Sequence, residues 1–88
     1  MNSIIYKYNI SQTQEFELPF GSQFLSIQMQ RGEAQAWFLI PIGPVEMVKR
    51  SFFLIPTGAE FDSSGLAYLG TLQPSPSLIF QLFEKISE

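Results

Sequence analysis

The feature that most constrains this chain is an apolar/polar alternation of period two that restarts after a turn signal roughly every eight to twelve residues. Ile4, Tyr6, Tyr8 and Ile10 share one face, and Ile5, Lys7 and Asn9 share the other, as in a half-buried strand. After polar Ser11-Gln12-Thr13, Phe16 and Leu18 alternate with Glu15 and Glu17 until Pro19-Phe20-Gly21 turns the chain. From Phe24 the pattern places Leu25, Ile27 and Met29 inward and Ser26, Gln28 and Gln30 outward. Arg31-Gly32-Glu33 suits a hairpin and leads into Ala34 to Ile42, a run apolar on both faces around Trp37 and Phe38, as expected of a central strand. Pro41, Gly43 and Pro44 stop that ladder. Val48 to Ile55 and Leu66 to Leu72 read as further strands, with Gly70 marking a bulge or a close backbone contact. Gln73 to Ser77, with two prolines, reads as a loop. Leu78 to Ile86 has two readings, a helical stripe of Leu78, Leu82, Phe83 and Ile86 or a strand, and the short aromatic run after prolines favours the strand.

Six to seven short strands in 88 residues predict one all-β domain over residues 1–88, a small antiparallel sandwich or a partly open barrel. Two cores would each be too small to offset chain entropy. The strands from Trp37 onward are apolar on both faces, more than a two-layer domain of this size can bury. Only 15% of the residues are charged, so a second copy of the chain is the expected cover and a homo-oligomer the expected state.

The residue inventory excludes most chemistry. There is no His and no Cys, which removes the Ser-His-Asp triad, thiol catalysis, disulfides and the usual zinc sites. No glycine precedes a Lys-Ser or Lys-Thr pair, so a phosphate loop is absent. The pairs Glu15/Glu17 and Glu60/Asp62 are the remaining acid–base candidates, but alternation makes the first a solvated face and the second a turn cap. Asp62-Ser63-Ser64-Gly65 lacks the later acidic ligands of a calcium loop. The expectation is a non-enzyme with no catalytic residue, no metal and no cofactor.

Five Lys or Arg and a net charge of −3 are too few cations to neutralise a phosphate backbone, so nucleic acid is not an expected partner. The apolar run Ala36 to Ile42 is too short to span a bilayer, and Met1-Asn2-Ser3 opens no secretory signal, so no membrane partner and a cytoplasmic location are expected. Binding candidates remain. Trp37 is either a core residue, the commoner fate, or an interface anchor or stacking platform. Tyr6, Tyr8 and Tyr68 could offer hydroxyls at a surface. Lys49-Arg50 with Arg31 is the one cationic grouping that two copies could bring around an anion.

Several pieces of the chain together resemble a family of small uncharacterised proteins encoded in tailed bacteriophage genomes. They are Ile5-Tyr6-Lys7-Tyr8, Leu18-Pro19-Phe20-Gly21-Ser22, Phe24-Leu25-Ser26-Ile27-Gln28, Ala36-Trp37, Pro56-Thr57-Gly58, Tyr68-Leu69-Gly70-Thr71 and Phe83-Glu84. The likeness spans nearly the whole length and includes no catalytic signature. Members commonly carry a His in the last strand where this chain has Gln81, so no role of that His transfers. The resemblance implies a phage accessory protein acting in the cytoplasm of a bacterial host. Proteins of that class often work by stoichiometric binding, which makes a host factor, antiviral-defence components included, the expected partner. A homo-oligomeric sponge for a small anionic ligand such as a signalling nucleotide is the alternative, and a minor virion protein the third.

Overall fold

A strand that is apolar on both faces has to sit between two others, and Glu33–Pro41 does so. The computed structural model describes residues 2–11 and 13–86 and contains seven strands. In chain order they are β1 Ser3–Asn9, β2 Thr13–Pro19, β3 Gln23–Gln30, β4 Glu33–Pro41, β5 Met47–Pro56, β6 Leu66–Ser75 and β7 Leu78–Lys85. They form two antiparallel sheets, a three-stranded sheet A of order β1-β4-β3 and a four-stranded sheet B of order β2-β5-β7-β6. The sheets are not closed into a barrel, so the sandwich alternative holds. The C-terminal segment is a strand, not a helix, and it occupies an interior position of sheet B.

Alternation decides the core. Ala36, Phe38 and Ile40 of β4 are buried while Trp37, Leu39 and Pro41 between them face outward and are half-buried. From sheet B, Leu18, Phe52, Leu72 and Leu82 point back at them. Phe38 is the hub of this layer, meeting Tyr8, Phe16, Phe24 and Phe52 edge-on at ring separations of 5.6 to 6.4 Å. Phe16 stacks on Tyr8 and on Phe52, at 5.1 Å in each case. Edge-to-face and offset-stacked rings suit the aromatic quadrupole and contribute about 1 kcal/mol each beyond burial.

The two sheets converge on one side and part on the other. They meet where β3 passes β6, because Gly70 has no side chain: a Cβ there would lie 3.2 Å from Cγ2 of Ile27. The register of β6 against β7 also shifts between Tyr68 and Gly70, so both roles read for Gly70 from sequence are present. On the opposite side β1 leans over β2. Tyr8 rests on Phe16, but Ile4 and Tyr6, on the same inward face, remain 38% and 52% exposed.

Three local expectations are corrected. Leu25 does not point into the core but is 43% exposed, because a bulge between Phe24 and Ser26 inserts it as an extra residue. Residues Gln73 to Ser77 are not a loop: β6 continues to Ser75 and only Pro76-Ser77 turn, since an edge strand tolerates the missing N–H of Pro74. Part of the surplus apolar surface is covered by the chain itself. Strands β5 and β6 run in the same direction with β7 between them, and the connection through residues 57–65 crosses the outer face of sheet B and sets Phe61 on Phe83, rings 5.3 Å apart.

Candidate functional site

The Lys49-Arg50 doublet shows how a strand sorts charge. Neighbouring residues point to opposite faces, so Lys49 lies outward opposite Glu17, whereas Arg50 lies inward opposite Phe16. Arg50 reaches the open end of the sandwich, where Nε and Nη2 donate to the two carboxylate oxygens of Glu84 at 2.5 and 2.8 Å and Nη1 donates to the Ser22 carbonyl at 2.6 Å. Its guanidinium carbon lies 5.7 Å from the ring centres of both Phe38 and Phe52. The side chains of Arg50 and Glu84 keep 19% and 16% of their exposure. One cation thereby joins β5, β7, the turn before β3 and the central aromatic of sheet A.

The turn that Arg50 holds is Pro19-Phe20-Gly21-Ser22. The Ser22 N–H donates to the Pro19 carbonyl at 3.0 Å and Gly21 has φ of 89°, which is the requirement of a type II turn at its third position. The Ser22 hydroxyl donates to the same carbonyl at 2.6 Å, so this buried polar residue is satisfied. The turn lifts Phe20 to its tip, 66% exposed. A cleft of about 1030 Å³ opens beside it, lined among others by Phe20, Lys49, Arg50, Glu84 and Lys85. Charges of both signs line it: Arg50 is bound by Glu84, Lys49 and Lys85 add two more cations, and Glu15, which accepts from the Ser51 hydroxyl, adds a second carboxylate.

The predicted cationic grouping is not assembled within the chain. Arg31 sits in the β3–β4 turn, at the far end of β3 from the Ser22 carbonyl that Arg50 binds; the eight residues of β3 separate them by roughly 25 Å. Arg31 and Gly32 both have positive φ, 54° and 77°, the pattern of a two-residue type I′ hairpin. The three tyrosines also part. Tyr8 is half-buried and packs against the core, Tyr6 overhangs on the inner side of β1, and Tyr68 lies on the outer face of sheet B, bonded to the Thr71 hydroxyl and packed edge-on to Phe83 at 5.7 Å.

Trp37 is not a core residue. It lies on the outer face of sheet A between Lys7 on β1 and Ser26 on β3, one register step from the pair Ile5 and Leu39. The Lys7 ammonium is drawn along that face to the Gln30 side-chain carbonyl. The centre of the face therefore presents Trp37, Leu39 and Ile5 with a single cation at its margin. Asp62 caps its turn as expected, accepting from the Ser64 N–H at 3.0 Å, which holds its carboxyl below the usual range. Glu15 and Glu17 are solvated, and among the described residues no three acidic side chains converge as metal ligands would. No helix among them is long and apolar enough to cross a membrane.

Sequence reasoning missed the Arg50–Glu84 pair because the partners lie on different strands, and only the β5–β7 register brings them near: Phe52, two residues on from Arg50, is the partner of Glu84. A charge placed on the apolar parity of each strand was the available signal. These features define a two-sheet β-sandwich with an ion-paired end and an outward tryptophan face. The chain belongs to the family described as Domain of unknown function (DUF7352), whose model matches residues 1–88. No curated protein and no solved structure matches it.

Proposed function

We propose that the protein is a non-enzymatic binding module that occupies the surface of another protein and blocks it. The observation that carries this reading is the outward position of Trp37 beside Leu39 and Ile5, on a central strand whose other face already supplies the core. Tryptophan is the residue type most enriched at interface hot spots, and a flat apolar centre rimmed by Gln, Ser and Lys has the layout of a protein contact. The sequence likeness to phage accessory proteins makes a cytoplasmic bacterial host factor, such as a defence component, the partner class.

The sponge reading has less behind it. Arg50 is engaged by Glu84 and Arg31 is at the other end, so the expected grouping of Lys49, Arg50 and Arg31 is not gathered around one anion, and the cleft that Lys49 shares with Lys85 is also lined by Glu15 and Glu84. Affinity capture from bacterial lysate, followed by calorimetry with the purified captured protein, tests the proposal. One-to-one binding that Trp37→Ala weakens at least about tenfold is expected, the loss typical of an interface anchor. No captured partner, equal binding by Trp37→Ala, or heat from a panel of cyclic nucleotides without any protein partner would overturn it.

A further inference from the structure

A free strand edge is a template for another strand, and natural sheets protect theirs with prolines, bulges, inward charges or edge lysines. Of these β1 has only Lys7, and its ammonium is turned along the outer face to Gln30. Its pairing with β4 runs without a shift from Ser3 to Asn9, and among the described residues no strand pairs with its other side. The phase of its hydrogen bonds follows from its two ends: the Ile42 N–H donates to the Asn2 carbonyl and the Ile10 N–H to the Ala34 carbonyl. Even-numbered residues therefore spend their backbone groups on β4, and Ser3, Ile5, Lys7 and Asn9 turn theirs to the open edge. The side chains at the middle of this edge are Ile4, Ile5 and Tyr6, with Ile5 56% exposed.

We propose that β1 pairs with β1 of a second copy, antiparallel about a two-fold axis at Ile5, to join the two A sheets into one six-stranded sheet. The area of the molecule argues for this occupant. The chain exposes 5995 Å², against about 5240 Å² for a monomeric protein of its mass. The surplus of about 750 Å² is close to one partner's share of a standard-size interface, about 800 Å². The Cα radius of gyration is 13.6 Å, where a compact domain of this length has about 12 Å. Both departures are what an overhanging edge produces.

Two-fold registers centred on Ile4, Ile5, Tyr6 and Lys7 are conceivable. An axis at Ile4 would form only the hydrogen-bonded pairs Ser3 with Ile5 and Ile5 with Ser3, one pair fewer than an axis at Ile5. An axis at Lys7 would set two ammonium groups face to face, which is destabilising. An axis at Tyr6 would draw the second strand along to Asn9, where Tyr8 already rests on Phe16 and Ile10 is buried, so the edge is shut. With the axis at Ile5, the two Ile5 side chains meet outside, Ile4 faces the second copy's Tyr6 inside, and Ser3 faces the second copy's Lys7. Every exposed apolar residue of the strand is then covered.

Light scattering after size exclusion of the full chain at tens of micromolar tests this, with circular dichroism confirming that each variant folds. The expected mass is twice the 10.0 kDa chain. Ile5→Lys, at an exposed position, is expected to weaken association roughly a hundredfold, about tenfold for each isoleucine lost from the seam. The chain has no cysteine, so Ile5→Cys reads the register: Cα atoms about 5.5 Å apart at the axis allow a disulfide between copies, whereas Lys7→Cys is expected to stay reduced. A monomer at that concentration, a folded Ile5→Lys that remains dimeric, or equal cross-linking at both positions would overturn the proposal. Ile5 also borders the Trp37 face, so the blocking function is tested separately by Trp37→Ala, which lies on β4, off the proposed seam.

Discussion

At the scale of single residues, the hub is Arg50. Its guanidinium has acceptors on two elements and an aromatic ring from each sheet, so its removal is felt across the sandwich end. Glu84→Gln keeps the shape but leaves the cation without its counter-charge. The free energy of unfolding in urea is expected to fall by about 2 kcal/mol, less than the 3–5 of a fully buried pair because both groups keep some water. Arg50→Met combined with Glu84→Leu should recover most of that loss, since an apolar replacement leaves no charge unpaired. A Glu84→Gln midpoint equal to the parent's would mean that the pair is merely decorative. Neither residue announces itself in the sequence. Lys49 and Arg50 look alike as a doublet, and it takes the parity of β5 to send one outward and the other across the aromatic layer.

At the scale of elements, each strand was legible because the two-residue period survives wherever one face is wet. The departures occur where that period is interrupted. Leu25 is displaced by a bulge that has no glycine or proline to mark it, and Pro74 stays in β6 only because the neighbouring position in the sheet is empty. Pairing order was not legible, because the path through residues 57–65 depends on Phe61 finding Phe83 rather than on any turn residue. Gly70 is the element-scale position most open to test, since it sets the distance between β3 and β6. Gly70→Ala must push Ile27, a buried residue, and is expected to cost about 1 kcal/mol. An unchanged denaturation midpoint would show that the two strands have room to spare.

At the scale of the whole molecule, the sandwich is a wedge, tight along β3 and β6 and gaping beneath the start of β1. A small domain built this way has little stability in reserve, and association through β1 would supply some of what it lacks. Its melting temperature is therefore expected to rise with concentration, by about 4 °C per tenfold for a dimer of this size. Scanning calorimetry across two decades of concentration checks this, and a constant midpoint would contradict it. The tryptophan face could not be anticipated from composition alone, because an outward Trp37 and a buried one have the same neighbours in sequence; only the burial of Ala36 and Phe38 on the other parity separates them.

β7 follows the six other strands of the described residues, yet it lies inside sheet B, with β5 on one flank and β6 on the other. While the polypeptide is still emerging from the ribosome, β2 can already hold β5, but β6 has no neighbour within sheet B and keeps bare amide groups on both sides. The second half of sheet B must wait until Leu78–Lys85 has cleared the exit tunnel, so β6 is fastened only after β7 has been made.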